Sequence, residues 1–270
     1  MTKRALVILM TIVLMMGILA TTGNAEAQMN DQLSRILEKG EIIIATEGTW
    51  SPWTYHDEEN NLVGFDVEVG RLIAEKLGVE ATFVEVLWDG IFAGLDAGRY
   101  DIVTNGVEVT VERAEKYDFS SPYAFARTVV IVKADNQDIQ SLEDLQGRRT
   151  ANTLSSTYAA VAESYGANPI GVDTLDQSIS LVLTGRVDAT LNDNVSFFDY
   201  MRVQPDAELK IAAAAEDAVQ MAIPVRKGED SARLLEKINE IVSELHAEGA
   251  LSILAEKYFG SDITKDMWQQ

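Results

Sequence analysis

The sequence predicts an α/β fold with a largely parallel sheet, and three observations lead there. Short apolar, β-branched runs alternate with longer stretches whose apolar residues recur at helical spacing, the pattern of strand–helix–strand units. The alternation occurs twice, over residues 41–104 and again over 128–201, so two such units are expected rather than one. The chain of 270 residues is 47% hydrophobic and has no cysteine, which is material for one large or two small cores that owe nothing to disulfides.

In chain order, residues 31–39 form an amphipathic segment and EIIIAT at 41–46 is a short β-rich run ending in the loop EGTWSPW at 47–53. FDVEVGRLIAEKL at 65–77 sets Val67, Leu72, Ile73 and Leu77 at helical spacing and stops at Gly78, so it reads as a helix with a glycine end. Strand 81–86, helix 88–98 and strand 100–104 complete the first series. The second consists of strand 128–133, a helical turn near 142–145, strand 149–152, helix 157–165, strand 169–172, helix 175–183, strand 188–191 and helix 194–201. A strand-like run at 219–225, a long amphipathic pattern at 231–246 and a helix around 251–258 close the chain.

The chain starts MTKRALVILMTIVLMMGILATTGNAEAQ, with Lys3 and Arg4 ahead of an apolar run and then the triplet Ala25-Glu26-Ala27. That is the layout of a cleaved secretory signal over residues 1–27, with Gln28 opening the mature chain. The apolar run of roughly sixteen residues is short against the about 20 needed to span a bilayer. With no cysteine to carry a lipid, a soluble periplasmic protein is expected and not a lipoprotein. The full chain carries 43 acidic and 22 basic residues, a net charge of −21. A surface of that sign repels phosphate backbones and anionic lipid, so no nucleic-acid partner is expected.

Catalytic and metal motifs are sparse. The two histidines, His56 and His246, fall in an acidic loop and a terminal helix, and no G-x-S-x-G or H-E-x-x-H element occurs. The acidic loop 56–61 lacks the glycine and terminal glutamate of an EF-hand and reads as a solvated turn. No catalytic residue, metal site or cofactor is expected. The most informative stretch is NGVEVTVERAEKYDFSSPY at 105–123, where Arg113 follows a polar turn and precedes an apolar-aromatic strand. A guanidinium matches a carboxylate with two parallel hydrogen bonds, so Arg113 is a candidate clamp for a carboxylate ligand. The alternative for the same residue is an exposed ion pair with Glu112 or Glu115.

The stretches GFDVEVGRLIAEKLGVEATFVEVLWDGIFAGLDAGRYDIV, TVERAEKYDFSSPY, SLEDLQGRR, GRVDATLND and EKYFGSDIT, taken in order and spacing, resemble the extracellular solute-binding proteins of polar amino-acid ABC transporters, solute-binding protein family 3. The resemblance implies a two-lobe periplasmic binding protein of type II, with a ligand cleft between the lobes and two hinge crossings. Residues 28–124 and 219–270 would form lobe 1, and 125–218 lobe 2. It further implies an L-amino acid as ligand, a membrane permease as partner and a monomeric protein.

By the same resemblance, Arg113 of the T-x-E-R motif holds the ligand's α-carboxylate and Asp193 its α-ammonium. The turn containing Gly106 and Glu108 meets the head group, and Ser156 and Thr157, opening a helix, donate to the carboxylate. N-capping uses the same residue types and is the plainer role for that pair. Trp50 stands where the family keeps an aromatic lid, Trp88 lines the side-chain pocket, and Trp53 is assigned to the core.

Glu47 approaches the ligand side chain, and Glu108 replaces the usual Ser or Thr. Two acids besides Asp193 suit a ligand with more than one ammonium. The wording of the motifs is most similar to cystine-binding members, so cystine is the expected ligand, with other polar or basic amino acids as the alternative. A periplasmic cyclohexadienyl or arogenate dehydratase is the enzymatic alternative; it would keep Arg113 and use Glu108 or Glu47 as general acid.

Overall fold

The computed structural model describes residues 30–265. The leader expected at 1–27 lies outside the described residues.

Strand Glu41–Thr46 is the centre of a three-stranded parallel sheet, flanked by Glu80–Glu85 and Ile102–Val103. Its side chains alternate between two cores, as the pleat requires. Ile42 and Ile44 face a cluster with Phe65 and Ile73 of helix Phe65–Leu77 and Leu234 and Ile238 of helix Glu229–Ala247. Ala45 faces the opposite cluster, with Ile91 and Leu95 of helix Trp88–Asp96 and Val103. Each fully buried aliphatic side chain here contributes about 1.5–3 kcal/mol. Helix Phe65–Leu77 begins at Gly64, at φ 133°, where a Cβ would come within 2.3 Å of the Trp53 carbonyl oxygen.

The second series is not largely parallel, which corrects the expectation. Strand Thr128–Lys133 is central and runs antiparallel to both Thr190–Asp193 and Leu209–Ala214. Only Arg149–Asn152 and Asn168–Gly171 pair in parallel, joined to the rest through a parallel bridge between Thr150 and Ala189. An apolar run encodes which face a residue takes but not the direction of its strand. Val129 and Ile131 pack on one face with Ile179 and Phe197, while Val130 and Val132 pack on the other with Tyr158 and Leu191.

Two antiparallel pairs follow the second series: Ala124–Ala126 with Val219–Met221, and Tyr117–Phe119 with Pro224–Arg226. The run expected as one strand at 219–225 is thus two, because it changes partners. Between them Ala222 N–H donates to the Val107 carbonyl and Ile223 N–H to the Ser120 hydroxyl. Strand Leu209–Ala214, whose alanines give a weak β signal, is an addition to the sequence reading. So is helix Val111–Lys116, capped by the Thr110 hydroxyl, which accepts from Arg113 N–H.

Candidate functional site

The carboxyl ends of the parallel strands in the two halves face a common cavity, the position where open α/β sheets bind ligands. Glu47 follows strand Glu41–Thr46, Gly106 and Glu108 follow Ile102–Val103, and Asn152 ends Arg149–Asn152. The cavity has about 570 Å³ of atom-free space, its mouth included. Of the nine residues expected, Glu47, Trp50, Trp88, Gly106, Glu108, Arg113, Ser156 and Thr157 line it.

Arg113 sits on the short helix rather than ahead of a bare strand. Its Nη1 donates to the Glu108 carbonyl at 3.0 Å, and its Cζ lies 5.1 Å from the Trp88 ring centre and 5.2 Å from that of Phe92. The surface ion pair weighed for it does not form: Glu112 pairs with Lys116 at 3.2 Å, and among the described residues no carboxylate reaches Arg113 within 4.0 Å. Burial lowers its pKa, against the opposing field of Glu108. A partly desolvated cation with no carboxylate within 4.0 Å among the described residues, edged by aromatic faces, is chemically suited to an anion. The Trp88 indole N–H, 8% exposed, has no acceptor among the described residues and is a second donor beside it.

The acids face this cation. Glu108 is 4% exposed, so it does not point to solvent, and its Oε1 has no hydrogen-bond partner among the described residues. Burial raises its pKa, and the negative field of Asp193 adds to the rise, while the Thr157 and Tyr158 hydroxyls and Arg113 oppose it. Glu47 accepts from Asn105 Nδ2 at 2.8 Å, and its N–H donates to Asn105 Oδ1 at 2.7 Å. Burial pushes its carboxyl up to about 7.

Asp193 differs from the expectation. It is 0% exposed and stands behind the wall, and of its surroundings Tyr158 and Asn192 line the cavity. Its carboxylate caps helix Asn194–Val203, accepting from Ser196 N–H at 2.6 Å and the Ser196 hydroxyl at 3.1 Å. It also accepts from Trp53 Nε1 at 3.1 Å and the Tyr158 hydroxyl at 3.4 Å. The N-cap role turns the carboxylate toward its own helix. Burial nevertheless pushes its pKa up to about 6. The Tyr158 hydroxyl, which donates to Asp193, also lies in the negative field of Glu108, so the two acids form one negative well around it.

The remaining expected residues have clear local reasons. Gly106 adopts φ 51°, and a Cβ there would lie 2.7 Å from the Trp50 ring. Its N–H donates to the buried carboxyl of Asp66, which fixes the loop. Trp50 stacks on Trp53 at 5.6 Å, and its Nε1 donates across to Asn192 Oδ1 at 3.2 Å, as a lid would. Trp53 is fully buried against Phe65 and Phe259. Ser156 does act as an N-cap, accepting from Ala159 N–H at 3.2 Å, and it also lines the cavity. In the acidic loop, the Asp57 carboxylate is taken up by the N–H groups of Glu59 and Asn61.

Sequence reasoning missed Thr49, Asn152, Thr153, Tyr158, Thr174, Ser178 and Asn192. Tyr158 and Asn192 are chain neighbours of residues that were named, and Thr174 carried the signal of an N-cap. The halves are in contact on both sides of the cavity: the Ser51 hydroxyl donates to Asp199 at 2.7 Å, and the Ser155 hydroxyl to Asp89. The conformation is closed.

Residues 42–261 match the profile of the bacterial extracellular solute-binding proteins, family 3. A probable amino-acid ABC transporter-binding protein of Haemophilus influenzae is 37% identical over 96% of this chain and 99% of its own. The L-cystine-binding protein TcyA of Bacillus subtilis is 36% identical over 97% of this chain and 100% of its own. Among solved structures, the L-cystine solute receptor of Neisseria gonorrhoeae, in its unliganded open conformation, is 39% identical over 87% of this chain and 99% of that one, with a TM-score of 0.59.

Proposed function

This chain belongs to the bacterial extracellular solute-binding proteins, family 3, and from that premise we propose that it captures L-cystine between its lobes and delivers it to an ABC-transporter permease. It is a type II two-lobe binding protein, extracytoplasmic, and not an enzyme; the relatives named above are binding proteins. In this reading residues 28–124 and 219–270 form one lobe and 125–218 the other, and a cleaved leader at 1–27 releases an unlipidated monomer.

The observation that carries the proposal is the pairing of a half-buried Arg113, with no carboxylate within 4.0 Å among the described residues, with more acids than one zwitterion needs. Arg113, the Trp88 indole and the hydroxyl of Thr157 receive the α-carboxylate. The well formed by Glu108 and Asp193 around Tyr158 receives the α-ammonium. Trp50 covers the ligand, and Glu47 remains for a second positive charge. Because Arg113 and Asp193 lie on different lobes, a ligand carrying both charges favours the closed state by its differential contacts.

A second reading, a basic amino acid, is favoured by Glu47, since one carboxyl can meet one cationic side chain, and by the likeness to an ancestral arginine-binding protein bound to arginine, 36% identical with a TM-score of 0.76. A thermal-shift screen of the mature protein against L-cystine, L-arginine, L-lysine, neutral amino acids and arogenate separates the cases, since a ligand of the folded state raises the melting temperature. The largest shift with L-cystine is expected. A larger shift with arginine or lysine transfers the protein to the second reading, and turnover of arogenate overturns both.

A further inference from the structure

The inner cavity has two distinguishable ends. It shares Arg113, Ser156 and Thr157 with an outer cleft on one side, and Thr49 and Thr174 with an outer cleft on the other. These outer clefts have no residue in common. A ligand whose carboxylate lies on Arg113 therefore extends its side chain toward Thr174.

That far end is built, not merely open. Asn152 ends strand Arg149–Asn152, its carbonyl accepts from Val172 N–H, and Gly171 is its register partner. The chain then turns directly into Thr174, whose hydroxyl caps helix Leu175–Leu183. Asn152 is thereby fixed beside the first turn of that helix, where Ser178, 4% exposed, also reaches the cavity.

The Asn152 side-chain amide donates from Nδ2 to the Leu191 carbonyl at 2.8 Å. That bond assigns which end of the amide is oxygen. Asn152 is 3% exposed and lines the cavity, and its Oδ1 has no hydrogen-bond partner among the described residues. A buried amide oxygen without a donor is costly unless something supplies one.

We propose that Asn152, with Thr174 and Ser178, forms the subsite for the second head group of a two-headed amino acid, with Asn152 Oδ1 accepting from the ammonium whose charge Glu47, in the same lining, offsets. The first-turn N–H groups of helix Leu175–Leu183 accommodate the second carboxylate, and the Ser178 hydroxyl, which donates to the Thr174 carbonyl at 3.3 Å, offers its lone pairs to the ammonium beside Asn152. This rests on the cystine reading and makes it specific: the far end of the pocket selects the disulfide-linked second cysteine rather than tolerating it.

The test compares L-cystine with S-methylthio-L-cysteine, which has the same disulfide and no second head group, by calorimetric titration of the mature protein. Wild type is expected to prefer L-cystine, and Asn152→Leu to reduce that preference at least tenfold. Because Asn152 also bonds Leu191, circular dichroism and melting curves accompany each variant. Should Asn152→Leu fail to fold, Ser178→Ala, which leaves the Leu191 bond intact, is expected to reduce the preference at least threefold. A preference unchanged in folded variants overturns the subsite while the cystine reading stands. Wild type that does not bind L-cystine overturns the cystine reading, and the subsite with it.

Discussion

Replacing Arg113 with methionine should separate binding from folding. Among the described residues the side chain makes one hydrogen bond, to the Glu108 carbonyl at 3.0 Å, and otherwise lies against Trp88 and Phe92. Methionine keeps the apolar contact and loses the charge. Losing the cation–π contacts costs about 0.5–2 kcal/mol, and removing a partly desolvated cation returns a similar amount. The free protein's stability should therefore change by less than about 1 kcal/mol.

With ligand the balance is one-sided. A buried carboxylate left unpaired costs about 2–5 kcal/mol, which is about 30-fold to about 5,000-fold in affinity. Calorimetric titration with L-cystine, alongside thermal melts of the free protein, reads both quantities. An affinity within threefold of wild type for every amino acid tested would refute the assignment of Arg113 to the carboxylate. A collapse of the free protein's melting temperature would refute its being spare in the ligand-free fold.

Other perturbations discriminate among the remaining roles. Burial pushes the Glu47 carboxyl from 4.5 up to about 7, with the nearby charge of Asp89 adding to the rise and Asn105 opposing it. The folded protein then holds a proton that the unfolded chain has lost, so the free protein should lose stability as pH rises from about 4.5 to about 7, by about 3 kcal/mol at most. Asp66 and Asp193, raised by burial to about 7 and about 6, contribute a fall of the same sign, so Glu47→Gln should reduce the slope of the urea-midpoint profile between pH 5 and 8 without abolishing it; an unchanged slope would remove Glu47 from the account. Asp193→Asn keeps one acceptor oxygen for the Ser196 N–H cap but sets an NH2 group against Trp53 Nε1, so it should cost about 1–3 kcal/mol of stability while amino-acid affinity falls at least tenfold. Equal affinity in Asp193→Asn would reduce Asp193 to a cap. Gly106→Ala places a Cβ against Trp50 at a left-handed φ, costing about 1–3 kcal/mol. Its tryptophan emission should shift as the lid is displaced, and an unaltered spectrum with unaltered affinity would contradict the role given to Trp50.

Much of this was legible in the sequence, and the failures have physical reasons. Helix Phe65–Leu77 was placed to the residue because its apolar spacing and terminal glycine agree. The antiparallel course of Thr128–Lys133 was not legible, since alternation reports faces and not direction. The run at 219–225 read as one strand because its apolar character is continuous, while its pairing partners are set 100 residues away in the chain. Arg113, Glu108 and Glu47 could be named from motif position, and the structure brings all three to one cavity. Asp193 was named on the same grounds, yet its carboxylate is drawn back by Ser196 and Trp53, a competition that depends on three-dimensional neighbours. Asn152 carried no signal: an asparagine at a strand end is ordinary until its carbonyl oxygen is found buried without a donor.

Titration of the mature protein with L-cystine and, separately, with L-cystine dimethyl ester tests the central claim most directly, because the ester keeps both ammonium groups and the disulfide while removing the carboxylates that Arg113 is assigned to hold. One-to-one binding of L-cystine with no measurable binding of the ester is the expected result. Equal binding of the two, or heat from neither L-cystine nor any other amino acid, would contradict the account.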